Sequence, residues 1–232
     1  MKRRLLIPVA LSLVVVVAAC AGLYVLMNSR TYQVAGRLVH RIDTADKVVA
    51  LTFDDGPTER TPEILATLGA LAVPATFYLV GRDLASRPGD GAAIAAAGHE
   101  IGNHSYSHRR FVLVTPGTVR DEVERTDAEI RRTGYHGPIT FRPPYGKKLF
   151  ALPTYLSDHD RTTVMWDVEP DSHGDAETGR IVDETLDAVR PGSIILLHAM
   201  YQADSRAAVV PIVDGLRARG YRFVTVSQLI GG

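Results

Sequence analysis

The stretch at residues 47–57, KVVALTFDDGP, joins an apolar and β-branched run to two carboxylates, a glycine and a proline. Residues 47–53 read as a strand, and their nearly continuous apolar character suits a strand buried on both faces, as in parallel sheets. Asp54, Asp55, Gly56 and Pro57 then stop the strand and turn the chain. In parallel α/β folds the carboxyl ends of the strands form the rim that carries the chemistry. Residues just past the other strands are therefore the candidates for function.

Outward from this stretch, strand-length runs alternate with helical patterns, and no linker, low-complexity tract or charge block interrupts them past Arg30. Helix is expected over 61–71, strand over 75–80, helix through 91–97 and a short strand around 100–103. An amphipathic helix from about 118 to 132 follows, with Arg131 and Arg132 at its end matching the helix dipole. Further strands are expected at 138–141, 162–166, 193–197 and 222–226, separated by helical stretches such as 181–189 and 207–219. About seven βα units in some 200 residues predict an α/β fold built as a distorted parallel (β/α) barrel, less complete than the usual eight-unit form. A doubly wound open sheet is the alternative. No glycine-rich phosphate fingerprint follows the first strand, which weighs against nucleotide binding.

Five of these strands deliver ionisable residues to one rim. Asp54 and Asp55 follow the first, and His104 and His108, in HSYSH, follow the strand near 100–103. Arg142, Pro143, Pro144, Tyr145 and Gly146 follow 138–141, while Trp166 leads into Asp167, Glu169 and Asp171, and the strand at 193–197 delivers His198. Two imidazoles four residues apart lie on the same side of a helical turn or tight loop, and with one carboxylate they make an open N,N,O site for zinc or a similar divalent ion. A second carboxylate can then act as general base and a separate histidine as general acid. His40, His99, His136, His159 and His173 read as surface or structural residues, and Trp166 as core or groove wall. Ser105 and Ser107 lack the GxSxG elbow of a serine nucleophile.

These motifs resemble those of the polysaccharide deacetylase family, the carbohydrate esterases that share the NodB homology domain. TFDDGP at 52–57 is similar to its first motif, HSYSH to its second, RPPYG at 142–146 to its third and LLH at 196–198 to its fifth. The resemblance spans about residues 48–230. It implies a metal-dependent hydrolase acting on carbon–nitrogen bonds, a polysaccharide N-deacetylase that frees the amine of N-acetylglucosamine units in peptidoglycan or a chitin-like polymer. By the same resemblance Asp54 is the general base, and Asp55, His104 and His108 hold the metal, zinc first, with cobalt, nickel or manganese as alternatives. The backbone N–H of Tyr145 stabilises the oxyanion, Arg142 orients and charge-pairs Asp54, and His198 protonates the leaving amine. The fourth motif departs from the family pattern. No tryptophan stands downstream of Asp167, and either Glu169 or Asp171 supplies the carboxylate that partners His198. An O-acetyl esterase acting on xylan-like polymers and a catalytically silent glycan-binding barrel are the competing functions.

The N-terminus is of another kind. Lys2, Arg3 and Arg4 precede a run at 5–27 without a charged residue, which as a helix spans about 34 Å, enough to cross a bilayer. The excess of basic residues before the run predicts a cytoplasmic N-terminus and an exported remainder. Residues 1–30 are thus expected to be a signal anchor, 31–46 a short connector and 47–232 the catalytic domain, in a single-pass protein of the cell membrane. Lipoprotein processing at Cys20, within VAAC, and cleaved secretion are alternatives. The chain holds 26 basic and 26 acidic residues, but past Arg30 the balance is 22 basic to 26 acidic. That balance excludes a polybasic nucleic-acid binder, and one cysteine excludes a disulfide framework within the chain. The expected partners are an acetylated polysaccharide and the membrane, with no protein partner implied.

Overall fold

A computed structural model of the chain describes residues 2–172 and 176–231, with side chains from Leu11 onward. His173 lies outside the described residues. The apolar run forms a single helix, α1 (Lys2–Asn28). Its segment Leu11–Asn28 is long and apolar enough to cross a membrane; it is exposed along its length except for residues 26–28, which are partly covered.

A parallel sheet follows. Its strands are β1 (Leu38–Val39), β2 (Val48–Asp54), β3 (Thr76–Leu79), β4 (Glu100–Asn103), β5 (Thr163–Val164), β6 (Ile194–Leu197) and β7 (Arg222–Val224). The central order is β4-β3-β2-β6, with β7 paired to the first half of β2. Beyond β4 the wall thins to single bridges, Asn103 to Phe141 and Phe141 to Thr163; β5 then pairs with β1, and a bridge from Val168 to Ile195 returns to β6. The circuit is a distorted (β/α) barrel.

The strand expected at 138–141 survives only as Phe141, and the one at 162–166 only as β5. Prolines explain the first loss, since Pro138 cannot donate a ladder hydrogen bond and Pro143 and Pro144 fix the backbone just beyond. Within residues 31–46, β1 joins the wall beside β5 and buries Val39.

Helices cover the outside. They are α2 (Thr61–Leu71), α3 (Gly81–Ser86), α4 (Pro88–Ala96), α5 (Pro116–Arg132), α6 (Ala151–Asp158), α7 (Thr178–Ala188), α8 (Ala203–Ala218) and α9 (Val226–Gly231). The helix expected at 91–97 begins earlier and is preceded by α3, the two being divided at Arg87 because Pro88 can start a helix but cannot continue one. On α5, Thr115 caps the N-terminus by accepting from the Thr118 N–H at 3.1 Å.

Strand periodicity positions the site. Every residue of β2 is buried. Val49, Leu51 and Phe53 pack outward with Ile64 and Leu68 of α2 and Ile212 of α8. Val48 and Ala50 point the other way, with Tyr78, Met165, Trp166 and Leu196. Burying each large apolar side chain contributes about 1.5–3 kcal/mol, so the register is strongly held. The same alternation turns Thr52 and then Asp54 into the barrel interior.

Candidate active site

Asp54 ends β2 almost wholly buried, and its carboxylate accepts a hydrogen bond from Arg142 Nη1 at 2.6 Å. That arginine is itself inaccessible to solvent. Its guanidinium lies 4.0 Å from the Tyr78 ring centroid and also donates to Thr52 Oγ1 and to the carbonyls of Val164 and Met165. A buried pair so fully bonded has a fixed geometry, and removing either partner would strand the other charge at a cost of about 3–5 kcal/mol.

Asp55 has φ +69, so the chain leaves β2 in the left-handed region and turns this side chain to the pocket mouth. Gly56 follows with φ +78, and a Cβ there would meet Met200 at 3.2 Å. Asp55 Oδ1 lies 3.0 Å from His108 Nε2 and 3.8 Å from His104 Nε2. Burial would raise the Asp55 carboxyl; the hydrogen bond from His108 and the fields of His104 and His108 outweigh it and bring the pKa down to about 2.

The two histidines sit in a loop after β4, not on a helix. Ser105 and His108 both have positive φ, as Tyr145 does, so strained backbone gathers around this mouth. Polar side chains hold the loop in that shape. Asn103 Oδ1 accepts from the Ser105 N–H at 2.8 Å while Nδ2 donates to the Val123 carbonyl and to Asp127. The Glu122 carboxylate, from α5, accepts from both the N–H and the hydroxyl of Ser107. His104 Nδ1 donates to the Arg142 carbonyl at 2.8 Å, which fixes the tautomer and leaves the Nε2 lone pair toward Asp55. Burial, opposed by Asp54 and Asp55, pushes the His104 pKa below its usual value and favours the neutral ring. The ligand atoms of Asp55, His104 and His108 all lie within 4.8 Å of one another. Two imidazoles and a carboxylate, one ring with its tautomer fixed by a backbone acceptor, fit a zinc-like divalent ion.

Across the pocket, His198 follows β6. Its Nδ1 donates to Asp171 at 3.0 Å, and Asp171 also accepts from the His198 N–H and from Ser205 Oγ, both at 2.6 Å. Burial alone would lower the His198 pKa, but the Asp171 hydrogen bond and the charges of Asp171, Asp54 and Asp55 carry it up to about 9. Asp171 is pushed the other way: burial would raise it, and the His198 and Ser205 bonds hold it below the usual carboxylate range. Glu169 does not touch His198. Its carboxylate accepts from Trp166 Nε1 at 2.7 Å and from Arg30 and Ser172.

Asp54, Asp55, His104, His108 and His198 line one cavity of about 390 Å³ together with Tyr145, Trp166 and Glu169, while the buried Arg142 and Asp171 stand behind it, bonded to Asp54 and His198. A slightly larger cleft of about 430 Å³, near Asp43, Val48 and Arg222, lies at the amino ends of β2 and β7. It gathers neither a histidine nor a bonded acid–base pair, so the smaller cavity is the candidate site. The structure thus brings together Asp54, Asp55, His104, His108, Arg142, Tyr145 and His198, and of the two candidate partners for His198 it places Asp171 there. Sequence reading missed Asn103, Glu122 and Ser205, whose spacing carries no motif, and Arg30, which read only as a flank of the apolar helix.

A family model described as polysaccharide deacetylase matches residues 41–164. A peptidoglycan-N-acetylglucosamine deacetylase of Bacillus cereus is 35% identical over 185 residues, covering 78% of this chain and 67% of that protein. The chain spans 40% or less of several longer curated relatives. A crystal structure of a peptidoglycan N-acetylglucosamine deacetylase in complex with a benzamide superposes with TM-score 0.78 at 32% identity, covering 83% of this chain and 92% of the other. A carbohydrate esterase family 4 pseudoenzyme from Bacillus anthracis superposes equally well, TM-score 0.78, at 25% identity over 85% of this chain and 70% of that one.

Proposed function

The chain belongs to the polysaccharide deacetylase family, and from that premise we propose that it hydrolyses the N-acetyl groups of N-acetylglucosamine units in an envelope glycan such as peptidoglycan. One observation carries the reading: the buried Asp54–Arg142 pair, the Asp55, His104 and His108 cluster and the His198–Asp171 pair converge on one cavity.

Asp54, oriented by Arg142, takes the proton of the attacking water as the new C–O bond forms at the acetyl carbon. Asp55, His104 and His108 would hold a divalent ion, zinc foremost, which when bound supplies Lewis-acid polarisation of the acetyl carbonyl. The Tyr145 N–H stabilises the developing oxyanion. His198, protonated at neutral pH because Asp171 raises its pKa to about 9, gives its proton to the nitrogen as the C–N bond breaks, leaving acetate and a free amine. The acid is what separates an amide from an ester, since an amine is much the poorer leaving group and depends more on protonation. Silence of the kind named for the Bacillus anthracis neighbour is opposed by the presence of base, ligand cluster, arginine and acid in one chain.

The proposed organisation keeps residues 1–30 as a membrane anchor and 47–232 as an extracytoplasmic catalytic domain, with 31–46 between them. The full chain, assayed for acetate release on peptidoglycan, chitin oligomers and acetylated xylan, with chelator and metal add-back, tests the function. Release from the N-acetylated polymers that stops with chelator and returns with zinc is expected; release from xylan alone would favour the esterase, and none at all would overturn the reading.

A further inference from the structure

The end of α1 is fastened to the barrel at the rim of the cavity. Lys147 and Lys148, which directly follow the 142–146 loop, reach back to it. Lys147 Nζ donates to Asn28 Oδ1, and Lys148 Nζ donates to the Ser29 carbonyl at 2.5 Å. The Lys148 N–H also meets the Met27 carbonyl at 3.4 Å. A helix C-terminus is the negative end of the dipole, so two ammonium groups beside it are favourably placed, one on the Asn28 side chain and one on the carbonyl just past the helix. Lys148 is almost fully buried, which a surface contact would not require.

Fastened in this way, Arg30 turns into the pocket. Its guanidinium carbon stands 4.8 Å from the Trp166 ring centroid, and Nη2 pairs with Glu169, the same carboxylate that accepts from the Trp166 indole. Arg30, Trp166 and Glu169 all line the cavity that holds Asp54, Asp55 and His198. The Arg30 side chain stays 47% exposed while Glu169 is only 10% exposed, so the pair is buried on the protein side and open on the cavity side. A guanidinium has five N–H donors in a planar fork, and the bond to Glu169 engages one Nη.

We propose that Arg30 is a substrate-binding residue, and that the end of the apolar helix is built into the active site so that this guanidinium forms one wall of the pocket and donates to the hydroxyl or acetyl oxygens of the glycan unit being processed. The inference rests on the glycan-deacetylase reading for its ligand. It adds that substrate is held partly by the membrane-proximal segment, which a barrel cut free of that segment would lack.

The test uses the full chain in detergent micelles with the pentamer of N-acetylglucosamine as probe. Binding is measured by calorimetry and acetate release by steady-state kinetics, for wild type, Arg30→Ala, Arg30→Lys and the remote surface variant Arg120→Ala. Loss of one charge-assisted donor should raise Kd and KM about tenfold in Arg30→Ala, with kcat and the unfolding midpoint close to wild type. Lysine, which keeps the charge and loses the fork, should recover part of the affinity, and Arg120→Ala should match wild type. Arg30→Ala values of Kd and KM within about twofold of wild type would overturn the proposal, as would a fall in kcat and unfolding midpoint without a change in Kd. Should wild type bind the pentamer but release acetate neither from it nor from peptidoglycan, the deacetylase reading fails and the Kd comparison still decides Arg30; a wild type that binds neither glycan overturns both.

Discussion

Asp54 and Asp55 are adjacent in sequence yet face different tasks, because a strand period of two sends the first into the barrel against Arg142 and a positive φ sends the second to the histidines at the mouth. Asn at position 54 keeps the shape and removes the proposed base, so Asp54→Asn is expected to lower kcat by about 10² to 10⁴-fold and, because it leaves the buried Arg142 charge without its carboxylate, to lower the unfolding midpoint as well, with the circular dichroism of the folded protein retained. His198 and Asp171 lend themselves to a pH experiment. The acid form of His198 is lost as pH rises through about 9, and without the Asp171 carboxylate its pKa should fall toward the ordinary histidine value near 6.5. In Asp171→Asn the alkaline limb of the kcat profile should therefore move down by about two pH units. An unmoved limb would mean that another group is the acid.

At the level of elements, the HSYSH loop is shaped from outside itself. Glu122 on α5 accepts two hydrogen bonds from Ser107, and Asn103 at the end of β4 binds Ser105. Glu122→Gln weakens both Ser107 contacts and should reduce zinc affinity about 10- to 100-fold, read by competition with a chromophoric chelator, while the secondary structure persists. The strands that hold the site were legible in sequence where apolar runs were long: β2 and β6 are continuous and buried, β2 ends on Asp54 and β6 stops one residue before His198. Legibility failed where pairing shrinks to bridges, at Phe141, because prolines remove donors without changing the apolar pattern. It failed also for Glu122 and Ser205, since a hydrogen bond across 15 or 34 residues leaves no local periodicity to read. Glu169 and Asp171 are indistinguishable in sequence for the same reason: both follow Trp166, and only the path of the chain decides which meets His198.

For the whole molecule, the neutral total conceals a basic-ended apolar helix joined to a mildly acidic barrel of 22 basic and 26 acidic residues past Arg30. The two meet beside the cavity proposed for catalysis, through Lys147, Lys148 and Arg30. Stability should carry the mark of the acid pair. His198 has a folded pKa above its unfolded value, so its contribution is complete below about pH 6.5 and lost as pH rises through about 9. Asp171 has a depressed pKa, so its contribution is present above about pH 4 and lost on further acidification. The gap in unfolding midpoint between wild type and Asp171→Asn should accordingly be widest at mildly acidic pH and narrow toward pH 10. The central claim, that these residues form a metal-assisted N-deacetylase, is tested most directly by acetate release from peptidoglycan by the full chain and by Asp54→Asn, each with chelator and with zinc restored. The account predicts release by wild type that chelator abolishes and zinc returns, and almost none from Asp54→Asn; equal release by both proteins, or release indifferent to chelator, would contradict it.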